Sequence, residues 1–333
     1  MLRVRRALLI VVGTALALAV LEIAARLLAP EEAPPPRFVE STPTYYVRDD
    51  ILGYAPAGAA HARAVRTHGA DLMYSVTYTI GDDRLRISPP APSRDPNACA
   101  LFFGDSFTYG EGVGDEDAMP YVVGALTGYR VYNFGFHGYG PHQMLAALDR
   151  GIVSRVVRCS PRLVLYQALV DHAWRAAGYA PWDAHGPRYV LTKTGLVAAG
   201  HFDETRIDRL RLRTRALLRH SAAYRRWIAA TVIDADVERF VAIVAGARQQ
   251  VAAMFPSATF QTILWDPVAD DAVLRKEIDG LRAAGIDPVR ISDVLPDYRL
   301  RPQTYALSRY DNHPSPPTQR AIARYVVSRW LSR

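Results

Sequence analysis

With 333 residues, half of them apolar, the chain can build one large α/β domain plus a smaller unit, and core formation is no obstacle. Its formal charge of +7 is almost wholly arginine, since Lys193 and Lys276 are the only lysines. No basic block interleaved with aromatics accompanies that charge, so it does not read as nucleic-acid binding. Two unclustered cysteines, and histidines (His61, His68, His137, His142) without ligand spacing, argue against a metal centre.

The N-terminus reads as a targeting segment. Arg3, Arg5 and Arg6 precede an apolar run from Ala7 that continues past Glu22 and Arg26 to Leu28. The run is long enough to span a bilayer if those two charges snorkel at its outer end. The arginine cluster predicts a cytoplasmic N-terminus and places everything after Pro30 outside the cytoplasmic membrane, in the periplasm. Ala15-x-Ala17 lies too deep in the run for a cleavage site, so residues 1–30 are expected to stay as a signal anchor, with a cleaved leader as the alternative.

Residues 31–37, EEAPPPR, form a proline-rich spacer. The stretch 38–95 is β-rich: Leu72 to Ile80 has strand composition, and Gly81-Asp82-Asp83 supplies a turn into a second strand, Arg84 to Ile87. It is expected to be a small β appendage, with no function legible in it. Ser88 to Pro96 is a proline-rich linker, which sets the expected boundaries at 1–30, 31–96 and 97–333.

From residue 97 strands alternate with helical patterns, which predicts a mostly parallel sheet. The strands are Ala100 to Gly104, Tyr129 to Asn133, Leu163 to Gln167, Thr259 to Trp265 and Val289 to Ile291. Helices are expected over Glu116 to Thr127, Pro141 to Val153, between Asp270 and Ala284, and from Pro317 to Leu331. A long insertion at about residues 172–257 interrupts the pattern. It carries Trp174, Tyr179, Trp182 and Tyr189, which either wall a pocket or pack the insertion down. A hairpin is expected over Arg188 to Val197, turned at Thr194-Gly195, and then a helical stretch, Asp203 to Ile228. That stretch has aliphatics on one side and a row of arginines, and either it docks on anionic lipid or its charged face is merely solvated. Cys99 and Cys159 fall at the same end of a parallel sheet, and a disulfide between them is left open.

Two motifs carry chemistry. In LFFGDSFTYGEGV, Leu101 to Val113, a buried strand ends in a Gly-Asp-Ser turn that leaves the Ser106 hydroxyl at the carboxyl end of the strand. Near the other end of the chain, Asp311-Asn312-His313-Pro314 offers a histidine with a carboxylate two residues earlier. A serine needs such a base and such an orienting group to attack an ester near neutral pH. The glycine-rich runs do not match a dinucleotide fingerprint, because Asp115 stands where the third glycine belongs, and there is no Walker lysine. No cofactor is expected.

At these residues the sequence resembles the SGNH hydrolases, the GDSL esterase and lipase family. Gly104, Asp105 and Ser106 match the first block, Asn133, Gly135 and Gly138 the second, and Asp311, His313 and Pro314 the last. The third block, Gly-x-Asn-Asp, is degenerate: Ala168-Leu169-Val170-Asp171 lacks its glycine and asparagine. The resemblance covers roughly residues 98–333 and implies a three-layer, doubly wound α/β fold, flavodoxin-like, of strand order 2-1-3-4-5. It also implies a Ser106–His313–Asp311 triad and an oxyanion hole formed by the N–H groups of Ser106 and Gly138. Val170 cannot supply the third donor, so either His172 or Gln167 replaces it or the hole works with two. Asp171 and His172 are candidates for orienting substrate, Asp171 alternatively for a structural role. The implied activity is a membrane-anchored extracytoplasmic esterase acting on acyl or acetyl esters, an acetylated glycan among them. The alternatives are an O-acyltransferase modifying a surface polysaccharide and a catalytically weak binding or assembly protein.

Overall fold

The computed structural model describes residues 2–28, 37–41, 45–89, 97–218, 220–228, 234–266 and 271–332. Residues 31–36 of the spacer and 90–96 of the linker lie outside them. The chain divides into two compact units, one of residues 1–35 and 203–231, the other of residues 36–202 and 232–333.

In the first unit, one helix runs from Leu2 to Leu28, and its Leu9–Leu28 portion is long and apolar enough to cross a membrane. The helical stretch expected over 203–228 is two helices, Arg206–Leu218 and Ala222–Trp227. Ser221 separates them because its side chain accepts from the Tyr224 N–H and so starts a new helix.

The second unit opens with strands β1 (Arg37–Ser41), β2 (Tyr46–Asp49), β3 (Gly53–Pro56), β4 (Ala60–His68) and β5 (Asp71–Ile80). β1, β4 and β5 form an antiparallel sheet, and β2 and β3 a hairpin. The second strand expected at 84–87 does not form. Arg84 adopts φ +64°, and Arg86 makes only isolated bridges, to Ile80 and Asn133. These strands belong to the same compact unit as the main sheet, and Tyr74, Tyr78 and Ile80 are buried in one core with Tyr109 and Phe136.

The main sheet contains β6 (Ala98–Phe103), β7 (Arg130–Asn133), β8 (Ser160–Leu169), β11 (Thr259–Trp265) and β12 (Val289–Arg290), all parallel. A hairpin of β9 (Pro187–Thr192) and β10 (Gly195–His201) stands apart from it. The order across the sheet, β7-β6-β8-β11-β12, is the 2-1-3-4-5 arrangement that the resemblance implies. β6 is buried throughout because both faces of a parallel sheet are covered. Its alternate side chains feed two cores. Leu101 and Phe103 pack with residues of the helices Pro141–Asp149 and Asp234–Met254, while Ala100 and Phe102 pack with residues of Met119–Thr127 and Pro316–Val326.

Several elements differ from expectation for local reasons. The helix predicted over 141–153 ends at Asp149, since Gly151 takes φ +75° and caps a separate helix, Ile152–Val156. The β9–β10 pair Thr192–Gly195 puts the turn at Lys193-Thr194, one residue before the expected position. The 21-residue helix Asp234–Met254 falls within the expected insertion, yet it is the crossover from β8 to β11 and buries Phe240, Ile243, Val244, Ala247 and Val251. Cys99 and Cys159 form a disulfide, Cα to Cα 6.1 Å, at the amino ends of β6 and β8.

Candidate active site

The Gly-Asp-Ser turn follows from where β6 stops. Gly104 takes φ +151°, and a Cβ there would lie 2.2 Å from Thr108 Oγ1, so only glycine lets the chain turn out of the strand. Asp105 then caps the short helix Ser106–Tyr109 by accepting from the Phe107 N–H at 3.0 Å. Ser106 is thereby held at the carboxyl end of β6, beside the switch in strand order where doubly wound folds place their sites.

His313 reaches Ser106 from the other end of the chain. Its Nε2 lies 2.8 Å from Ser106 Oγ and its Nδ1 2.5 Å from Asp311 Oδ1. A carboxylate only accepts, so Nδ1 carries the proton and Nε2 is left to accept from the serine hydroxyl. Asp311 Oδ2 accepts in turn from Arg66 Nη1 at 2.9 Å. Burial alone would raise the Asp311 carboxyl, but the bonds from His313 and the charge of Arg66 hold it below its ordinary value.

A second carboxylate, Glu111, lies against the same imidazole. Its Oε2 is 3.4 Å from His313 Nε2 and 2.6 Å from His137 Nδ1, and its Oε1 accepts from Tyr74 at 3.1 Å and from Arg66 at 3.3 Å. His137 Nε2 lies 2.6 Å from the Tyr45 hydroxyl. Burial pushes His313 towards its neutral form, yet Glu111 and Asp311 together outweigh it and raise the pKa above the ordinary imidazole value. The contacts with His313 and His137 and the charge of Arg66 hold the Glu111 carboxyl below its ordinary value despite its burial.

The β appendage therefore supplies Arg66, Tyr74 and Tyr45 to the surroundings of the serine. It also supplies Arg86, a buried guanidinium that donates to the carbonyls of Tyr109, Gly110 and Val113 and to Asp115, fixing the loop that carries Glu111. None of these residues stands in a recognisable motif. Glu111 alone carried a signal, as the one charge between glycines directly after the helix Ser106–Tyr109.

The two oxyanion candidates lie on loops tied to each other. Asn133 donates to the Thr108 and Tyr109 carbonyls and accepts from the Gly135 N–H at 3.0 Å, which stitches the second block to the first. Arg175 donates from one nitrogen to Asp105 Oδ2 (3.0 Å) and to the Tyr139 carbonyl (2.7 Å), bracing the residue beside Gly138. Burial would raise the Asp105 carboxyl, but the Arg175 charge reverses this and brings it down to about 2. Gly138 takes φ +69°, and a Cβ on it would meet Trp182 Nε1 at 2.4 Å and the Tyr54 hydroxyl at 2.9 Å. Among the described residues neither the Ser106 nor the Gly138 N–H has a hydrogen-bond partner.

The remaining sequence candidates sit elsewhere. His172 is fully buried, its Nδ1 2.6 Å from the Tyr166 hydroxyl and its Nε2 3.4 Å from Asp105. Gln167 is buried, with Oε1 accepting from Trp265 Nε1 at 3.3 Å. Asp171 accepts two bonds from Arg175, at 3.1 and 2.9 Å. Val170 packs partly buried against the core. Trp182 is half exposed and donates to the Gly138 carbonyl at 3.1 Å, whereas Tyr189 is buried and donates to Asp149.

Sheet order, a serine at the carboxyl end of the first sheet strand and a histidine arriving from the C-terminal segment now stand together. The fold is a doubly wound parallel sheet of the order that the resemblance to the SGNH hydrolases implies. No protein-family model and no curated protein matches the sequence. Solved structures of similar outline include a lipolytic protein of the G-D-S-L family from Veillonella parvula, with 14% identity, 71% of this chain and 99% of that one covered and a TM-score of 0.41. A family two carbohydrate esterase from Clostridium thermocellum, solved with cellohexaose, is 11% identical over 74% of this chain and 68% of its own, with a TM-score of 0.38. A carbohydrate esterase family 2 enzyme from Corynascus thermopiles is 12% identical over 83% and 79%, at 0.37. Those scores bear on neither activity nor substrate.

Proposed function

We propose that the protein is a serine esterase of the SGNH type that hydrolyses acyl or acetyl esters, tethered to the membrane by its N-terminal helix with the catalytic unit outside the cytoplasm. The observation that carries the reading is the chain of contacts from Ser106 Oγ to His313 Nε2 and from His313 Nδ1 to Asp311. Ser106 attacks the ester carbonyl while His313 Nε2 takes its proton. Asp311 holds the tautomer and stabilises the imidazolium, and His313 then returns the proton to the leaving alcohol. Water repeats the attack on the acyl-enzyme.

The N–H groups of Ser106 and Gly138 serve as oxyanion donors. A pair of backbone donors needs no reorganisation as charge develops, and each such donor contributes about 2.7 to 4 kcal/mol. No step calls for a cofactor. The Cys99–Cys159 disulfide supports an oxidising compartment, which agrees with the Arg3, Arg5 and Arg6 cluster before the apolar helix.

Labelling the purified chain with a serine-reactive fluorophosphonate and mapping the adduct tests the assignment. Modification of Ser106, lost in His313→Ala, is expected, and an unmodified Ser106 in folded protein would overturn it. A panel of acetylated sugars and short acyl esters, offered with water and with sugar hydroxyls as acceptors, then defines donor and acceptor. A reporter fused after Arg333 is expected to be active only outside the cytoplasm.

A further inference from the structure

The unit formed by residues 1–35 and 203–231 carries no part of the proposed active site, yet it is built in a specific way. Glu22 lies near the carboxyl end of the apolar helix, which ends at Leu28. Its carboxylate accepts from Ser221 Oγ at 2.6 Å and from the N–H groups of Ala222 and Ala223 at 2.9 and 3.2 Å. One acidic side chain in a membrane-length helix thus caps the start of the helix Ala222–Trp227, an arrangement favoured at helix N-termini. Ala25, one turn away, is buried.

The preceding helix, Arg206–Leu218, turns the wrong way for a body surrounded by water. Ile207, Leu210, Leu217 and Leu218 fall on one stripe at 3.6 residues per turn, and they are 41% to 71% exposed. The side that is covered holds Asp208 and Leu212. A surface helix in water normally buries its apolar stripe and exposes the polar one. Trp227 and Ile228 extend the exposed apolar surface. By the same helical geometry, Arg206 and Arg213 flank the stripe on one side and Arg211 on the other, all exposed.

We propose that residues 206–218 and 220–228 lie in the headgroup layer of the membrane that the N-terminal helix crosses, with the aliphatic stripe below the phosphates and the arginines on anionic phospholipid. The occupant is argued from continuity and charge. The segment is hydrogen-bonded to the outer end of a helix whose own aliphatic side chains, such as Val20, Ile23 and Leu27, are also exposed, and a bilayer covers both surfaces at once. Arginines flanking an aliphatic stripe, with a tryptophan at its end, are the pattern of helices that lie in the interface plane. Glu22 would then fix the segment to the anchor at one depth.

The test uses the full chain in vesicles of phosphatidylcholine with and without phosphatidylglycerol, spin-labelled singly at Leu210→Cys, Leu217→Cys, Ala216→Cys and Val12→Cys. The native cysteines are paired and do not react. Val12 reports the membrane helix, and Ala216 the side of the segment away from the stripe. Collision with oxygen and with a water-soluble nickel chelate is expected to show labels at 210 and 217 shielded from nickel and open to oxygen, as at Val12, with 216 open to nickel. Replacing Arg206, Arg211 and Arg213 with glutamine, or omitting phosphatidylglycerol, is expected to expose 210 and 217 to nickel.

Nickel access at 210 and 217 equal to that at 216, with Val12 still in hydrocarbon, overturns the proposal and leaves the anchor standing. Shielding from both reagents with spin–spin broadening overturns it in favour of a second copy on the stripe. Equal protection without phosphatidylglycerol overturns the role of the arginines. A nickel-accessible Val12 overturns the anchor and the proposal with it.

Discussion

Glu111 Oε2 lies 3.4 Å from His313 Nε2, the nitrogen that meets Ser106 Oγ at 2.8 Å. A carboxylate beside the unprotonated face of an imidazole favours the imidazolium, so in the proposed mechanism Glu111 stabilises the state in which His313 holds the serine's proton. The same contact raises the His313 pKa, and the working base is available only above it. The acid limb of kcat/KM is therefore expected above the ordinary histidine value of about 6.5. Removing the negative charge removes a cause of that rise, so Glu111→Gln is expected to move the limb down and to lower turnover on the plateau. A pH–rate profile of the two proteins reads both effects, and an unmoved limb would refute the coupling.

Ser106→Ala is expected to lose about 10⁴ to 10⁶ in kcat, as triad variants do elsewhere. The hydroxyl packs at a turn and contributes little to the core, so the unfolding midpoint should not change. Turnover near that of the parent protein, measured on an activated ester, would remove the serine from the mechanism.

The disulfide separates stability from chemistry. Cys99 and Cys159 stand 60 residues apart and join the amino ends of β6 and β8, whereas Ser106 follows the carboxyl end of β6. In the chain-entropy view, closing a loop of that size limits the unfolded chain by about 4 kcal/mol, and native disulfides generally contribute about 2 to 5. Cys99→Ser with Cys159→Ser is expected to lower unfolding stability in denaturant by that order and to leave kcat close to its original value. A large loss of kcat at full stability would contradict the placement.

A mostly parallel sheet was legible because short apolar runs alternate with helical patterns, its strand order came from the resemblance to the SGNH hydrolases, and Ser106 and His313 were legible because each stands in a compact local motif. What the sequence concealed is what tertiary contact decides. Arg66 meets Asp311 across 245 positions, and Arg86 satisfies three carbonyls of one loop, with no periodicity to mark either. The β appendage reads as an ornament until its strands bring those two guanidinium groups to the catalytic loops. The helix Asp234–Met254 was missed although Val237, Phe240, Val244, Ala247 and Val251 recur at helical spacing, because it lies inside the long stretch after Asp171 that matches no block of the family. Gln167 and His172 stood next to the degenerate third block and were plausible donors by proximity alone. Their bonds to Trp265 and Tyr166 commit them to the interior.

That commitment sharpens the expectation for Val170. With His172 and Gln167 buried and bonded within the fold, the proposed oxyanion hole has the N–H groups of Ser106 and Gly138 and lacks the side-chain donor of the third block. Val170 is only partly buried, so asparagine fits there with a modest loss of apolar contact, on the order of 1 kcal/mol. Val170→Asn is expected to raise turnover on a small activated ester, by up to about 10² to 10³, the value of one donor in other acyl-transfer sites. Gln167→Ala should leave turnover unchanged, since the side chain is buried and its amide oxygen accepts from Trp265. If Gln167→Ala lowers kcat while Val170→Asn does nothing, the glutamine is the incumbent donor. Should neither variant move kcat while Ser106→Ala abolishes it, the third donor comes from another loop, and Trp182, whose indole N–H already reaches the Gly138 carbonyl, becomes the residue to replace.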